Sequence, residues 1–186
     1  MAIEALLIIL VVLLVLIGLY VMKVYNNLVG LNEKANVNWS QVDVLLKQRA
    51  DLIPNLVETI KGAGKYESET LEAVISARNK FVSAPTKEDE MKADGELSQV
   101  LNRLFALNES YPDLKVNQNY LDLQNELTNL EEKISKYRQF FNDSVYSYNR
   151  YLLVFPNSLI ANLFHFTKQS YFEVDEASKE SPKVKF

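Results

Sequence analysis

The sequence predicts an all-α protein: an N-terminal transmembrane helix continuing into a long antiparallel helical bundle of four main helices plus a short C-terminal helix. Three observations carry this. Only five glycines and five prolines interrupt 186 residues rich in Leu, Asn, Glu and Lys. The chain opens on a long apolar run. Beyond it, apolar residues recur at spacings of three and four, the period of one helix face.

Ala5 to Met22 is eighteen residues of Leu, Ile, Val, Ala, Tyr and Met broken only by Gly18, enough with Ile3 to span a hydrocarbon core. No basic segment precedes it and no small-x-small site precedes Lys23, so an uncleaved single-pass anchor over residues 1–22 is favoured over a signal peptide. Its flanks, Glu4 on one side and Lys23 and Lys34 with Glu33 on the other, favour a bundle on the cytoplasmic side of the cell membrane.

Residues 23–174 form the predicted bundle domain. From Leu28 a seam runs through Leu31, Ala35, Trp39, Val42, Leu46, Arg49, Ile53, Leu56 and Ile60, with a coiled-coil-like period and no turn signal between it and the anchor. One rod from the membrane to about Lys61, ended by Gly62 and Gly64, is the expectation; about forty residues of it outside lipid rise roughly 60 Å. Pro54 should kink this rod, because its ring displaces the Ala50 carbonyl and one backbone bond is lost. The alternative is a break, with Asp51 capping a second helix.

A short helix from Ser68 presents Leu71, Val74, Ile75, Arg78, Phe81 and Val82 before Pro85 stops it. Thr86, three residues before Asp89, should cap a helix with Met91, Asp94, Leu97, Leu101, Leu104 and Asn108 in register. Ser110-Tyr111-Pro112-Asp113 reads as a turn. The last long helix starts near Asn117 and follows Tyr120, Leu123, Leu127, Leu130, Ile134, Tyr137, Phe141, Ser144, Tyr148, Leu152 and Phe155. A short apolar segment from Leu159 to Phe172 follows, and residues 175–186 have the composition of a flexible polar tail.

The middle helices are too short to cover the two long ones, so four helices pack only at the end away from the membrane. The remaining two-helix stem needs a cover: the segment from Leu159 folding back, a second copy, or a partner. Eleven of the twenty aromatic residues lie between Tyr137 and Phe172. Phe140, Phe141, Tyr148, Tyr151, Phe155, Phe164 and Phe166 are therefore candidates for a membrane-proximal aromatic interface, with core filling as the competing reading.

Carboxylates outnumber Lys plus Arg by 24 to 20, with no basic patch, so nucleic acid is set aside as a partner. Without cysteine there is no disulfide, thiolate metal site or thiol nucleophile. His165 is the one histidine, too few for the paired Glu-x-x-His helices of a di-iron bundle or for a zinc shell. No phosphate loop, nucleophile elbow or zincin helix is present, and the chain reads as a protein without enzymatic activity, cofactor or metal. What stands out are polar residues on or beside the seams: Arg49, Asn55, Arg78, Asn142 and Asp143. They read as a buried network that fixes helix register or as a polar ligand pocket between helices, and register is favoured because bundles often specify alignment this way.

Tyr25-Asn26 with Leu28-Val29, the block from Trp39 to Gly62, Thr70-Leu71-Glu72 leading to Ala77-Arg78, Tyr111-Pro112-Asp113-Leu114-Lys115, Phe141-Asn142-Asp143 with Tyr148-Asn149, and Phe155-Pro156-Asn157-Ser158 resemble, in order and spacing, the LemA family of bacterial membrane-anchored proteins. The likeness covers about residues 20–173, and the long block from Val42 to Gly62 makes it specific. Gly64-Lys65-Tyr66-Glu67 departs from relatives that often carry a histidine before the glutamate, so no role is carried over to that position. The resemblance implies a membrane helix, a helical bundle and no established enzymatic activity. It also implies a link to membrane protein quality control, because genes of this family often neighbour those of HtpX-type membrane zinc metallopeptidases. The function expected is a membrane-anchored scaffold or adaptor that binds a membrane protein or self-assembles; the alternative is a ligand-binding sensor.

Overall fold

A computed structural model describes residues 2–63, 68–107 and 111–172, which form six helices and no strand. They are α1 (Ala2–Gly62), α2 (Ser68–Val82), α3 (Lys87–Leu107), α4 (Pro112–Lys115), α5 (Gln118–Leu153) and α6 (Asn157–Leu163). The expected roles of Gly64, Asn108 and Ser110 and the polar tail fall outside the described residues.

Helix α1 is continuous for 61 residues, and Pro54 lies inside it, so the chain does not break at Asp51. The seam read from the sequence is the buried face: Leu28, Ala35, Trp39, Val42, Leu46, Arg49, Ile53, Leu56 and Ile60 are all buried, and Leu31 is half-buried. Helix α3 begins with the expected cap, the Asp89 amide donating to Thr86 Oγ1 at 3.2 Å. Asn117 caps α5 the same way, its Oδ1 accepting from the Tyr120 amide at 3.1 Å.

Two elements differ from the sequence reading. The expected turn at Tyr111-Pro112-Asp113 continues into the one-turn helix α4, because Pro112 at its first position needs no amide partner and Leu114 is buried. Helix α5 ends at Leu153, two residues before Phe155, so Phe155 leaves the seam and stands 75% exposed.

The described residues divide into two compact units, residues 2–39 with 140–171 and those of 40–139 with 172. In the second unit, parts of α1 and α5 pack with α2, α3 and α4 around Ile53, Leu56, Ile60, Leu71, Val74, Leu97, Leu101, Leu104, Leu114, Tyr120 and Leu127. In the first, α1 and α5 run antiparallel, since Asn27 bonds Tyr151 whereas Asn38 bonds Ser144. Helix α6 and the strand-free segment after it cover these two helices: Ile160 and Ala161 join Val24, Leu28, Tyr148 and Leu152 in one apolar cluster, with Phe166 against it. The stem is therefore covered by the chain's own fold-back.

Helix α6 stops in a left-handed turn. His165 adopts φ 58°, its amide donates to the Asn162 carbonyl at 3.2 Å, and the Phe166 amide donates to the Ala161 carbonyl at 2.9 Å. This pair of bonds is the Schellman arrangement, with histidine where glycine is usual.

Near its N-terminus α1 carries an eighteen-residue apolar stretch, none of which is buried by the rest of the chain. It is long and apolar enough to cross a membrane.

Candidate functional site

Arg49 lies between Leu46 and Ile53 on the α1 seam, so the helix that buries its apolar neighbours carries the guanidinium inside with them; it is 1% exposed. There it forms ion pairs with Asp94 of α3 and Glu131 of α5, and Nη1 also donates to Ser98 Oγ at 3.0 Å. Asp94 is fully buried and takes a second guanidinium, that of Arg138 on α5. Arg138 Nη1 stands 3.7 Å from Glu131, and its guanidinium lies 4.5 Å from the Phe172 ring centroid.

Two guanidinium groups and two carboxylates thus balance within one unit and tie α1, α3 and α5 together. Burial pulls the Arg49 guanidinium down to about 10, Glu131 opposing this and Arg138 adding to it. That is still well above neutral pH, so Arg49 remains a cation. A buried charge of this kind tolerates little axial sliding of its helix, because any slip would leave it unpaired in a low-dielectric interior. A cleft of about 180 Å³ opens beside the network, lined in part by Arg49, Ser98, Asn102, Thr128 and Glu131.

Arg78 serves another purpose. Pro54 has no amide hydrogen, so the carbonyl of Ala50, four residues before it, loses its helical donor. Arg78 Nε of α2 donates to that carbonyl at 3.2 Å, while Nη1 reaches Asn79 Oδ1 at 3.3 Å. Arg49 on the α1 seam and the carbonyl that Pro54 leaves without a donor are thus each answered within the same unit, Arg49 by Asp94 and Glu131 and the carbonyl by Arg78. Arg78 also borders a cleft of about 230 Å³ with Pro54, Glu58, Lys61 and Asn79.

The other named polar residues are not brought to the network. Asn55 and Asp143 are exposed and Asn142 is half-buried. Sequence reading did not single out Asp94, Glu131 and Arg138 as site residues. The signal for Asp94 was present: a carboxylate on the α3 seam, between Met91 and Leu97, is the natural counterpart of an arginine on the α1 seam.

The aromatic candidates separate in the first unit. Phe141 and Tyr148 are core, 1% and 2% exposed, and Phe141 packs on Trp39 with ring centroids 5.4 Å apart. Tyr151 and Phe166 are half-buried, whereas Phe140, Phe155 and Phe164 are exposed. Phe164 and Phe166 meet Tyr25 of α1 edge-on, at 4.9 and 5.6 Å. Neutral hydrogen bonds hold this unit. Tyr148 donates to the Thr167 carbonyl at 2.8 Å, and Asn149 both donates to the Gln169 carbonyl at 2.9 Å and accepts from its amide at 3.0 Å. Gln169 reaches Asn32 at 2.6 Å, and Tyr20 donates to Asn157 at 2.9 Å. Burial raises the Tyr148 hydroxyl above the ordinary tyrosine range, which keeps it a neutral donor. Among the described residues no group of three or more His, Asp and Glu gathers as a metal site.

An uncovered apolar segment leading into a helix whose buried face is registered by ion pairs defines a class: long-helix bundle proteins with an N-terminal apolar helix. Within that class the chain belongs to the LemA family, whose sequence profile matches residues 38–186. It is similar to magnetosome protein MamQ of Magnetospirillum gryphiswaldense, 25% identical over 174 residues, and to magnetosome protein MamQ 2 of Paramagnetospirillum magneticum, 23% identical over 175 residues. Each alignment covers 80% of this chain and 64% of the relative, so the chain spans under two thirds of the length of these MamQ proteins. Protein LemA of Metamycoplasma hominis is 22% identical over 149 residues, covering 80% of this chain and 68% of that one.

Proposed function

We propose that this protein is a single-pass membrane scaffold, without catalytic activity, that presents a helical bundle to a membrane protein partner or to further copies of itself. The observation that carries this reading is the continuity of α1, whose apolar segment is left bare by the chain while the same helix goes on to supply the buried seam of both units. The apolar segment and the seam therefore belong to one helix. The ion pairs around buried Arg49 and Asp94 oppose sliding of α1 against α3 and α5. In this reading Arg49 is a register residue, since its guanidinium is already engaged by Asp94 and Glu131.

The family resemblance makes an HtpX-type membrane metallopeptidase the first partner to test and membrane protein quality control the first process. The bundle is assigned to the cytoplasmic side, on the charge of the flanking residues. The test is in-membrane crosslinking from single cysteines at exposed bundle positions such as Lys133, followed by size analysis in mild detergent. A scaffold yields one dominant crosslinked species, either a multimer or a complex with one membrane protein. A monomer that forms no crosslink in native membranes refutes the proposal. Labelling of the Lys133→Cys variant by a membrane-impermeant thiol reagent in intact cells would overturn the cytoplasmic assignment.

A further inference from the structure

The unit that carries the apolar segment also carries a second uncovered apolar surface. From Tyr151 to Thr167 the chain has no Asp, Glu, Lys or Arg, in a protein whose charged residues make up 24%, and this stretch is bracketed by Arg150 and Lys168. Within it Leu153, Val154, Phe155, Leu159, Leu163 and Phe164 are between 44% and 75% exposed. A cluster of large apolar side chains left facing water in a soluble setting marks a surface that something covers.

Its position names what covers it. Tyr20, near the end of the apolar segment, bonds Asn157 at the start of α6, and Tyr25 packs against Phe164 and Phe166 just beyond its end. Helix α6 and the preceding turn therefore lie alongside residues 20–25 of α1, the level at which a segment crossing from Ala5 to Met22 leaves the hydrocarbon. Exposed Leu and Phe, neutral Asn and Ser, flanking Arg150 and Lys168 and the exposed Lys23 are the composition of a bilayer interface, where apolar side chains enter the acyl boundary and cations meet headgroup phosphates.

We propose that the α5–α6 turn and α6 form a second membrane contact, a monotopic foot seated in the interfacial layer beside the span. This rests on the reading of α1 as a membrane span. With two contacts on one face of the membrane, the first unit has a defined rotation about the α1 axis as well as a defined depth, which a lone spanning helix does not supply. The polar bonds from Tyr20 to Asn157 and from Asn27 to Tyr151 then hold the foot to the span.

The absence of native cysteine allows a direct test on the full-length chain. Single cysteines at Leu10, Val37, Leu159 and Leu163, all exposed positions, are labelled with an environment-sensitive fluorophore and reconstituted into vesicles of phosphatidylcholine and phosphatidylglycerol. A lipid nitroxide near the top of the acyl chain and aqueous iodide then report depth. The foot predicts that labels at Leu159 and Leu163 are quenched by the lipid nitroxide and protected several-fold from iodide relative to Val37. If Leu159 and Leu163 behave like Val37 while Leu10 is protected, the foot is wrong and the span stands. If Leu10 itself is open to iodide, the span reading fails and the foot with it. Protection at Leu159 and Leu163 that shows no lipid quenching and vanishes on dilution into excess lipid would identify a second copy as the cover and overturn the proposal.

Discussion

The two units solve the same problem with different chemistry. In the second, α1 is registered against its neighbours by an ion-pair network centred on buried Arg49 and Asp94, with half-buried Arg138 and Glu131 at its edge. In the first, α1 and α5 are aligned by neutral groups, Asn27 with Tyr151, Asn38 with Ser144 and Tyr20 with Asn157. Ion pairs specify position sharply but need a full set of partners, since removing one strands the others in low dielectric. Amides and hydroxyls cost less when left beside lipid or water, which suits a unit built on a segment apolar enough to enter a membrane.

The sharpest way to break the comparison is to remove a charge. Arg49→Met leaves Asp94 with one guanidinium instead of two, and chemical unfolding should show a loss of about 3–5 kcal/mol. Combining it with Asp94→Leu should recover a large part of that loss. If the single change costs under about 1 kcal/mol, the network does not set register. In the first unit, Asn149→Leu removes both bonds to Gln169 and should cost about 2 kcal/mol, with no recovery from any charge change in the second unit.

A smaller effect tests the arginine at the proline. Arg78→Met leaves the Ala50 carbonyl without its donor and should cost about 1–2 kcal/mol. In a Pro54→Ala background the new amide can take that carbonyl, so the penalty should fall by at least half; an unchanged penalty would mean that Arg78 acts through other contacts. Smaller again, His165→Gly relieves a left-handed residue at the end of α6 and should stabilise the chain by about 1 kcal/mol, read as a rise in Tm.

The smallest effect concerns pH. Burial and the nearby Asp43 raise the Glu90 carboxyl, with Lys47 opposing. A carboxyl raised on folding is unfavourable when ionised, so its cost is present above the folded pKa and disappears as pH falls below the unfolded value. Glu90→Gln should therefore raise stability slightly at neutral pH and leave it unchanged in acid. Arg49, lowered only to about 10, stays charged in both states at neutral pH and adds no pH dependence there.

Much of the architecture was legible because helix periodicity is local. The α1 seam could be written from Leu28 to Ile60 from spacing alone, and the cap at Thr86 follows from a side chain that satisfies an amide three residues on. The site was half legible. An arginine on an apolar face announces that a partner exists, and Asp94 on the α3 seam was a visible counterpart. Glu131 and Arg138 were not, because on α5 they flank the seam and gain meaning only when α1 and α3 approach.

The order of elements, the long first helix and the bareness of its opening segment were determined by the sequence itself, since hydrophobic spacing and the scarcity of glycine and proline act over a few residues at a time. Only the tertiary structure decided which carbonyl Arg78 answers, which aromatics fill the core and which stay outside, and that α6 folds back to cover the stem. Each of these depends on the register of two helices far apart in the chain, and register is a property of packed pairs rather than of any one of them.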